Sequence, residues 1–113
     1  MDTNDISACE RLVMKVIWDS TEDLALQDIM NRVNQENGKS WKPQTVSTFL
    51  IRLVKKGYVS TYRKGRYFYY VPVVPLEEYQ KRECERMLQR LFCGDSGKMR
   101  SCLTLVEQEA LKA

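Results

Sequence analysis

The stretch PQTVSTFLIRLVKKG (residues 43–57), followed by YVSTY (58–62), RKGR (63–66) and YFYYV (67–71), decides the fold. Pro43 suits the first position of a helix, where its fixed φ is already helical and its missing N–H has no partner to lose. Val46, Phe49, Leu50, Leu53 and Val54 then recur at helical spacing as the expected buried face, and Gly57 supplies a stop. At about 100° per residue from Val46, that face covers roughly 300° to 80° of arc. Gln44, Thr48, Ile51, Arg52 and Lys55 fall on the opposite side, with Lys42, Thr45 and Lys56 at its margins. The two aromatic and β-branched runs after Gly57 predict a β-hairpin whose tip is Arg63-Lys64-Gly65-Arg66, with Gly65 taking the positive φ. Alternation along its strands puts about half of Tyr62, Tyr67, Phe68, Tyr69 and Tyr70 inward, so most of them are expected to pack between wing and core.

Two helices precede this unit. Ser7 and Glu10 have the spacing of a capping box, and Leu12, Val13, Val16 and Ile17 follow it. The pattern fades over residues 19–23. Leu26, Ile29, Met30 and Val33 form a second stripe that ends at Asn37-Gly38. Beyond Pro72 and Pro75 a fourth helix carries Cys84, Met87, Leu88, Leu91 and Phe92 on one side. A fifth, starting near residues 96–98, carries Met99, Cys102, Leu103 and Val106. The expected fold is mainly α with a small β-hairpin wing: a winged helix-turn-helix over 1–74 and a helical dimerisation region over 75–113. Two apolar stripes in so small a chain call for a partner to cover them, and a second copy is the expected one.

Charge is unevenly spread. Residues 1–36 hold 3 basic and 8 acidic side chains, residues 37–76 hold 8 basic and none acidic, and residues 77–113 hold 7 of each. A forty-residue acid-free stretch in a chain of 15 acids is a footprint for a polyanion. The outward side of the third helix has residue types that read a DNA major groove. Glutamine pairs with adenine, arginine with guanine, and threonine or an aliphatic group meets a thymine methyl. Lys42, Thr45 and Lys56 at the helix margins, and Arg63, Lys64 and Arg66 on the wing, suit phosphates.

The sequence has no histidine, which removes the common general base, the Ser-His and Cys-His nucleophile pairs and all histidine metal sites. No enzyme, no metal and no cofactor is expected. The acidic, polar Met1–Asp5 start is unlike a secretory signal, and no apolar run reaches a membrane span, so a cytoplasmic chain without membrane contact is expected. Cys9, Cys84, Cys93 and Cys102 form no close pair and are expected as buried or free thiols.

Several segments together resemble the penicillinase-repressor family, the BlaI/MecI/CopY type. Ser7-Ala8-Cys9-Glu10 with Val13-Met14 and Ile17-Trp18 is similar to the family's S-A-x-E-x-x-V-M-x-x-I-W opening. Trp41-Lys42-Pro43-Gln44-Thr45-Val46 is similar to its W-S-P-x-T-V, and Leu50 to Gly57 to its L-x-R-L-x-K-K-G. Gly65-Arg66 with Tyr67 to Val71 resembles its wing, and Val106-Glu107-Gln108-Glu109 its C-terminal dimer region. The resemblance implies a repressor homodimer on a palindromic double-stranded operator built around TACA/TGTA elements. In one branch it implies a sensor-protease partner, and in another release of DNA when metal binds a C-terminal C-x-C cluster.

Three departures stand out. Lys42 occupies the usual serine position, Thr104-Leu105 aligns with the family's scissile Asn-Phe, and there is no C-x-C pair. The chain ends at Ala113, short of the family's usual last helix, and a weaker dimer is the expectation. Two rival readings fit the same residues. One is a winged-helix scaffold that docks an acidic protein, and the other is a redox or metal sensor working through the cysteines.

Overall fold

The structure, a computed structural model, describes residues 5–112. Most of the Met1–Asp5 start therefore lies outside the described residues. The elements in order are α1 (Ala8–Asp19), β1 (Leu24–Ala25), α2 (Leu26–Asn37), α3 (Pro43–Lys55), β2 (Val59–Lys64), β3 (Tyr67–Pro72), α4 (Leu76–Phe92) and α5 (Ser96–Lys112). They fall into two compact units that divide between Pro75 and Leu76. Among the described residues no helix is long and apolar enough to cross a membrane.

The first unit is three helices on a small antiparallel sheet of order β1-β3-β2. Its core is Val13, Met14, Val16 and Ile17 of α1, Ile29 and Val33 of α2, and Val46, Leu50 and Leu53 of α3, closed by Leu24, Tyr58 and Val59. The Trp18 ring N–H donates to the Val74 carbonyl at 2.9 Å and ties the segment after β3 back to α1. Val54, expected in the core, is 37% exposed because it sits at the edge of the apolar arc.

The hairpin pairs Lys64 with Tyr67, leaving Gly65 and Arg66 as a two-residue loop. Gly65 has φ +66°, which a side chain would strain. Arg63 and Lys64 thus belong to β2 rather than to the turn. Strand β1 was hidden in the sequence: two residues are too few to show alternation. It pairs only with Tyr69 and Tyr70 of β3, and that limits the support of the wing. Tyr69 and Tyr70 are half-buried. Tyr62, Tyr67 and Phe68, nearer the tip, are 40%, 55% and 53% exposed. The expectation that most wing aromatics pack inward is therefore corrected.

The capping box at α1 is present. The Ser7 hydroxyl accepts from the Glu10 N–H at 3.1 Å, and the Glu10 carboxylate accepts from the Ser7 N–H at 2.7 Å. Glu10 is only 1% exposed, the buried charged residue of this core. Its partner is Lys56, one residue past α3, whose ammonium lies 2.7 Å from Glu10 Oε1 and donates to the Asp5 carbonyl at 2.8 Å. Lys56, expected as a phosphate contact, is thereby corrected to a structural residue: its charge is committed inside the unit. Burial pushes the Glu10 carboxyl up, but the Lys56 ammonium and the Ser7 N–H and hydroxyl more than offset it and hold it below the ordinary 4.5.

In the second unit, Cys93 and Gly94 both take positive φ between α4 and α5. The Asp95 carboxylate accepts from the Lys98 N–H at 3.1 Å and caps α5.

Removing one partner of the buried pair leaves the other charge uncompensated. Glu10→Gln should lower unfolding stability at pH 7 by on the order of 3 kcal/mol in urea titrations. Glu10→Leu combined with Lys56→Met should recover much of that loss. A carboxyl depressed in the folded state stabilises fully above its unfolded value near 4.5 and loses that contribution as pH falls through the lower folded value. The Glu10→Gln protein should therefore show a flatter acid limb. A loss under about 1 kcal/mol at pH 7 would remove the pair from this role.

Candidate nucleic-acid interface

Helix α3 presents Gln44, Thr48, Arg52 and Lys55 as exposed side chains, with Ile51 at 54% exposure between them. Thr48 donates its hydroxyl to the Gln44 carbonyl at 2.9 Å, which fixes its rotamer and leaves its lone pairs outward. The Arg52 guanidinium lies 6.0 Å from the Phe49 ring centroid, a cation–π contact that holds a long side chain near the helix. Lys42, the N-cap of α3, is exposed and makes no side-chain cap bond. Thr45 is half-buried.

Two grooves flank α3. One is formed by Ile51, Val54 and Lys55 with Thr61 and Tyr70 of the sheet. The other brings Ser47 together with Arg66 and Tyr67 at the hairpin. The outward side of α3 and the hairpin therefore border one another. On the wing, Lys64 and Arg66 are exposed. Arg63 donates from Nε to the Gly65 carbonyl at 3.0 Å, with its guanidinium 5.9 Å from the Phe68 centroid.

One contact that holds this wing joins residues too far apart in the chain for local spacing to reveal it. The Tyr62 hydroxyl donates to the Asp23 carboxylate at 2.5 Å, joining β2 to the segment before β1. Tyr62 also stacks on Tyr69, centroids 5.7 Å apart. The hydrogen bond to Asp23, with some desolvation and the nearby charge, raises the Tyr62 phenol above 10.

In the second unit an apolar groove of about 610 Å³ runs between α4 and α5, lined by Cys84, Met87, Leu88, Phe92, Met99, Cys102, Leu103 and Val106. Leu91 stands outside it, 70% exposed. The four thiols are free, with Cys9 half-buried. Cys84, Cys93 and Cys102 are exposed in this chain. Among the described residues no group of three or more Cys, Asp or Glu could hold a metal ion.

The sequence model described as penicillinase repressor matches residues 6–113. The chain belongs to the penicillinase repressor family. The penicillinase repressor of Bacillus licheniformis is 30% identical over 106 residues, 94% of this chain and 79% of that protein. The methicillin resistance regulatory protein MecI of Staphylococcus aureus (strain N315) is 26% identical over 109 residues, 96% of this chain and 85% of that protein. The solution structure of B. licheniformis BlaI, monomeric form in complex with the blaP half-operator, superposes with a TM-score of 0.54 at 33% identity. The match covers 66% of this chain and 88% of that one. Thr104 and Leu105 are exposed in α5, and the Thr104 hydroxyl donates to the Arg100 carbonyl at 3.0 Å.

Asp23→Asn should return the Tyr62 phenol towards 10, read as a lower-pH phenolate absorbance step that is absent from Tyr62→Phe. An unchanged titration would mean that Asp23 does not hold the wing tyrosine.

Proposed function

We propose that the chain is a cytoplasmic, sequence-specific repressor that binds double-stranded DNA as a homodimer on a palindromic operator, without catalysis or cofactor. The observation that carries this reading is the BlaI half-operator complex, formed by a relative one-third identical to this chain. The acid-free stretch from Asn37 to Leu76, which spans α3 and the wing, supports it.

Gln44 and Arg52 approach base edges, and Thr48 and Ile51 meet thymine methyls or base-edge acceptors. Lys42, Thr45, Lys55, Arg63, Lys64 and Arg66 hold phosphates. Lys56 is not part of this set, because Glu10 occupies its ammonium.

The partner for the α4 and α5 faces is a second copy. Met87, Leu91, Leu103 and Val106 are 45% to 70% exposed, too much clustered apolar surface for a soluble monomer. Cys84, Leu88, Phe92, Met99 and Cys102 complete the faces that would meet across the two-fold axis. That axis would set the two recognition helices about 34–36 Å apart, or a multiple of this, on successive turns of the duplex. A sensor-protease is the weaker part of the family analogy, since a cut at Thr104-Leu105 would fall inside helix α5.

On a duplex selected from a random pool by the native chain, Lys64→Ala or Arg66→Ala should reduce the log-log salt slope by about one. Arg52→Ala should lose on the order of 1–3 kcal/mol on that duplex and less on random DNA. Binding indifferent to salt would sink the repressor reading.

Leu88→Asp with Leu91→Asp should give a folded monomer with weakened binding to the selected duplex. Sedimentation across a wide concentration range and a gel shift check this together. Full-strength binding by a proven monomer would reject the dimer.

A further inference from the structure

Four hydrogen bonds converge on Asn34, a half-buried residue in the last turn of α2. Its backbone carbonyl accepts from the N–H groups of Gly38 and Lys39, the latter at 3.1 Å, which ends α2 with Gly38 at φ +60°. Its side-chain amide reaches across the turn to both backbone groups of Trp41. The Trp41 N–H donates to Asn34 Oδ1 at 2.9 Å, and Asn34 Nδ2 donates to the Trp41 carbonyl at 3.1 Å. Trp41 is the residue before the α3 N-cap, and its ring packs on Phe49 of α3 with centroids 5.1 Å apart.

Among the described residues the start of α3 has no other side-chain anchor of this kind. Its N-cap is Lys42, which offers no oxygen to the free N–H groups of the first turn. Pro43 fixes φ at one residue but not the direction in which the helix leaves the turn. A planar amide that satisfies both the donor and the acceptor of one backbone residue does fix it. From Trp41 the chain passes directly to Lys42, Gln44 and Thr45, the first groups of the proposed interface.

We propose that Asn34 is a positioning residue for DNA recognition: its bidentate bond to Trp41 sets the angle at which α3 leaves the helix-turn-helix. This rests on the reading of α3 as the helix that reads DNA. Base-edge contacts need angular precision, whereas phosphate contacts made by long cations tolerate a rocking helix. Losing Asn34 should therefore cost discrimination before it costs affinity for any duplex. A residue that merely stabilised the fold would lower binding to all duplexes together.

The test uses the full chain below its melting temperature, with two probes: a duplex selected by the native chain from a random pool, and an unrelated duplex of equal length. Asn34→Ala should reduce the ratio of the two affinities by about tenfold, the scale of two lost hydrogen bonds, with random-duplex affinity unchanged within about twofold. Asn34→Asp keeps the acceptor for the Trp41 N–H and loses the donor. It should show an intermediate ratio, and its added charge acts on both duplexes alike and cancels. It also serves if the alanine variant does not fold. An unchanged ratio, or affinities that fall together, overturns the role given to Asn34 and leaves the repressor reading standing. A native chain that selects no duplex overturns both.

Discussion

The ion pair between Lys56 and Glu10 is the constraint on which the rest of the first unit depends. It joins the start of α1 to the exit of α3, 46 residues apart in sequence, at 2.7 Å. A carboxylate this deeply buried is tolerable only because an ammonium and a capping box meet it at once. Its other oxygen, Oε2, has no partner among the described residues, so the charge relies on Lys56. Oε1, the oxygen that Lys56 meets, also accepts from the Ser7 N–H, which makes the first turn of α1 and the residue that follows α3 parts of one network. With its exit fixed there, α3 is free to vary only at its start and along its outward side.

That division explains why two adjacent lysines have different fates. Lys55 and Lys56 are equivalent in composition, and helix geometry alone puts the latter at the margin of the outward side. The choice between solvent and core was made by Glu10, a partner far away in sequence. A helical wheel carries no information about such partners. Long-range pairings of this kind are what a single sequence leaves unread, whereas local ones are legible. The capping box of Ser7 and Glu10, the helix stop at Gly38 and the hairpin turn at Gly65 all rest on spacings of a few residues, and all were readable in advance.

The same distinction runs through the wing. Periodicity identified both strands of the hairpin, but not the two-residue β1 that supports only the end next to the core. Inward packing of the wing aromatics follows from alternation only where there is something to pack against. Past Tyr69 the sheet is two strands wide, and alternation then chooses between two exposed faces. Tyr67 and Phe68 are exposed for that reason, and Arg63 covers part of Phe68 from its own strand. A narrow two-stranded hairpin is stiffened by side-chain hydrogen bonds, the local one from Arg63 to Gly65 and the long-range one from Tyr62 to Asp23, rather than by burial. Such a hairpin can carry cations outward without drawing on the core.

Under the proposed dimer, the two units divide the work that recognition requires. A single small module touches too few base pairs to select one site from a genome, and raising its phosphate affinity would strengthen wrong sites as much as right ones. Linking two modules through the apolar faces of α4 and α5 multiplies discrimination instead, because the second half-site is then met at high effective concentration. Under the proposed dimer, any event that uncovers those faces lowers operator occupancy without altering a single DNA-contacting residue. The absence of a buried core in α5, where none of the described residues is buried within the chain, fits an element whose order is supplied by a partner. Stability in such an element is shared between folding and association, so its equilibrium responds to protein concentration as a simple folded helix would not. A repressor built as proposed can be relieved at α4 and α5 while the first unit stays folded around Glu10 and Lys56.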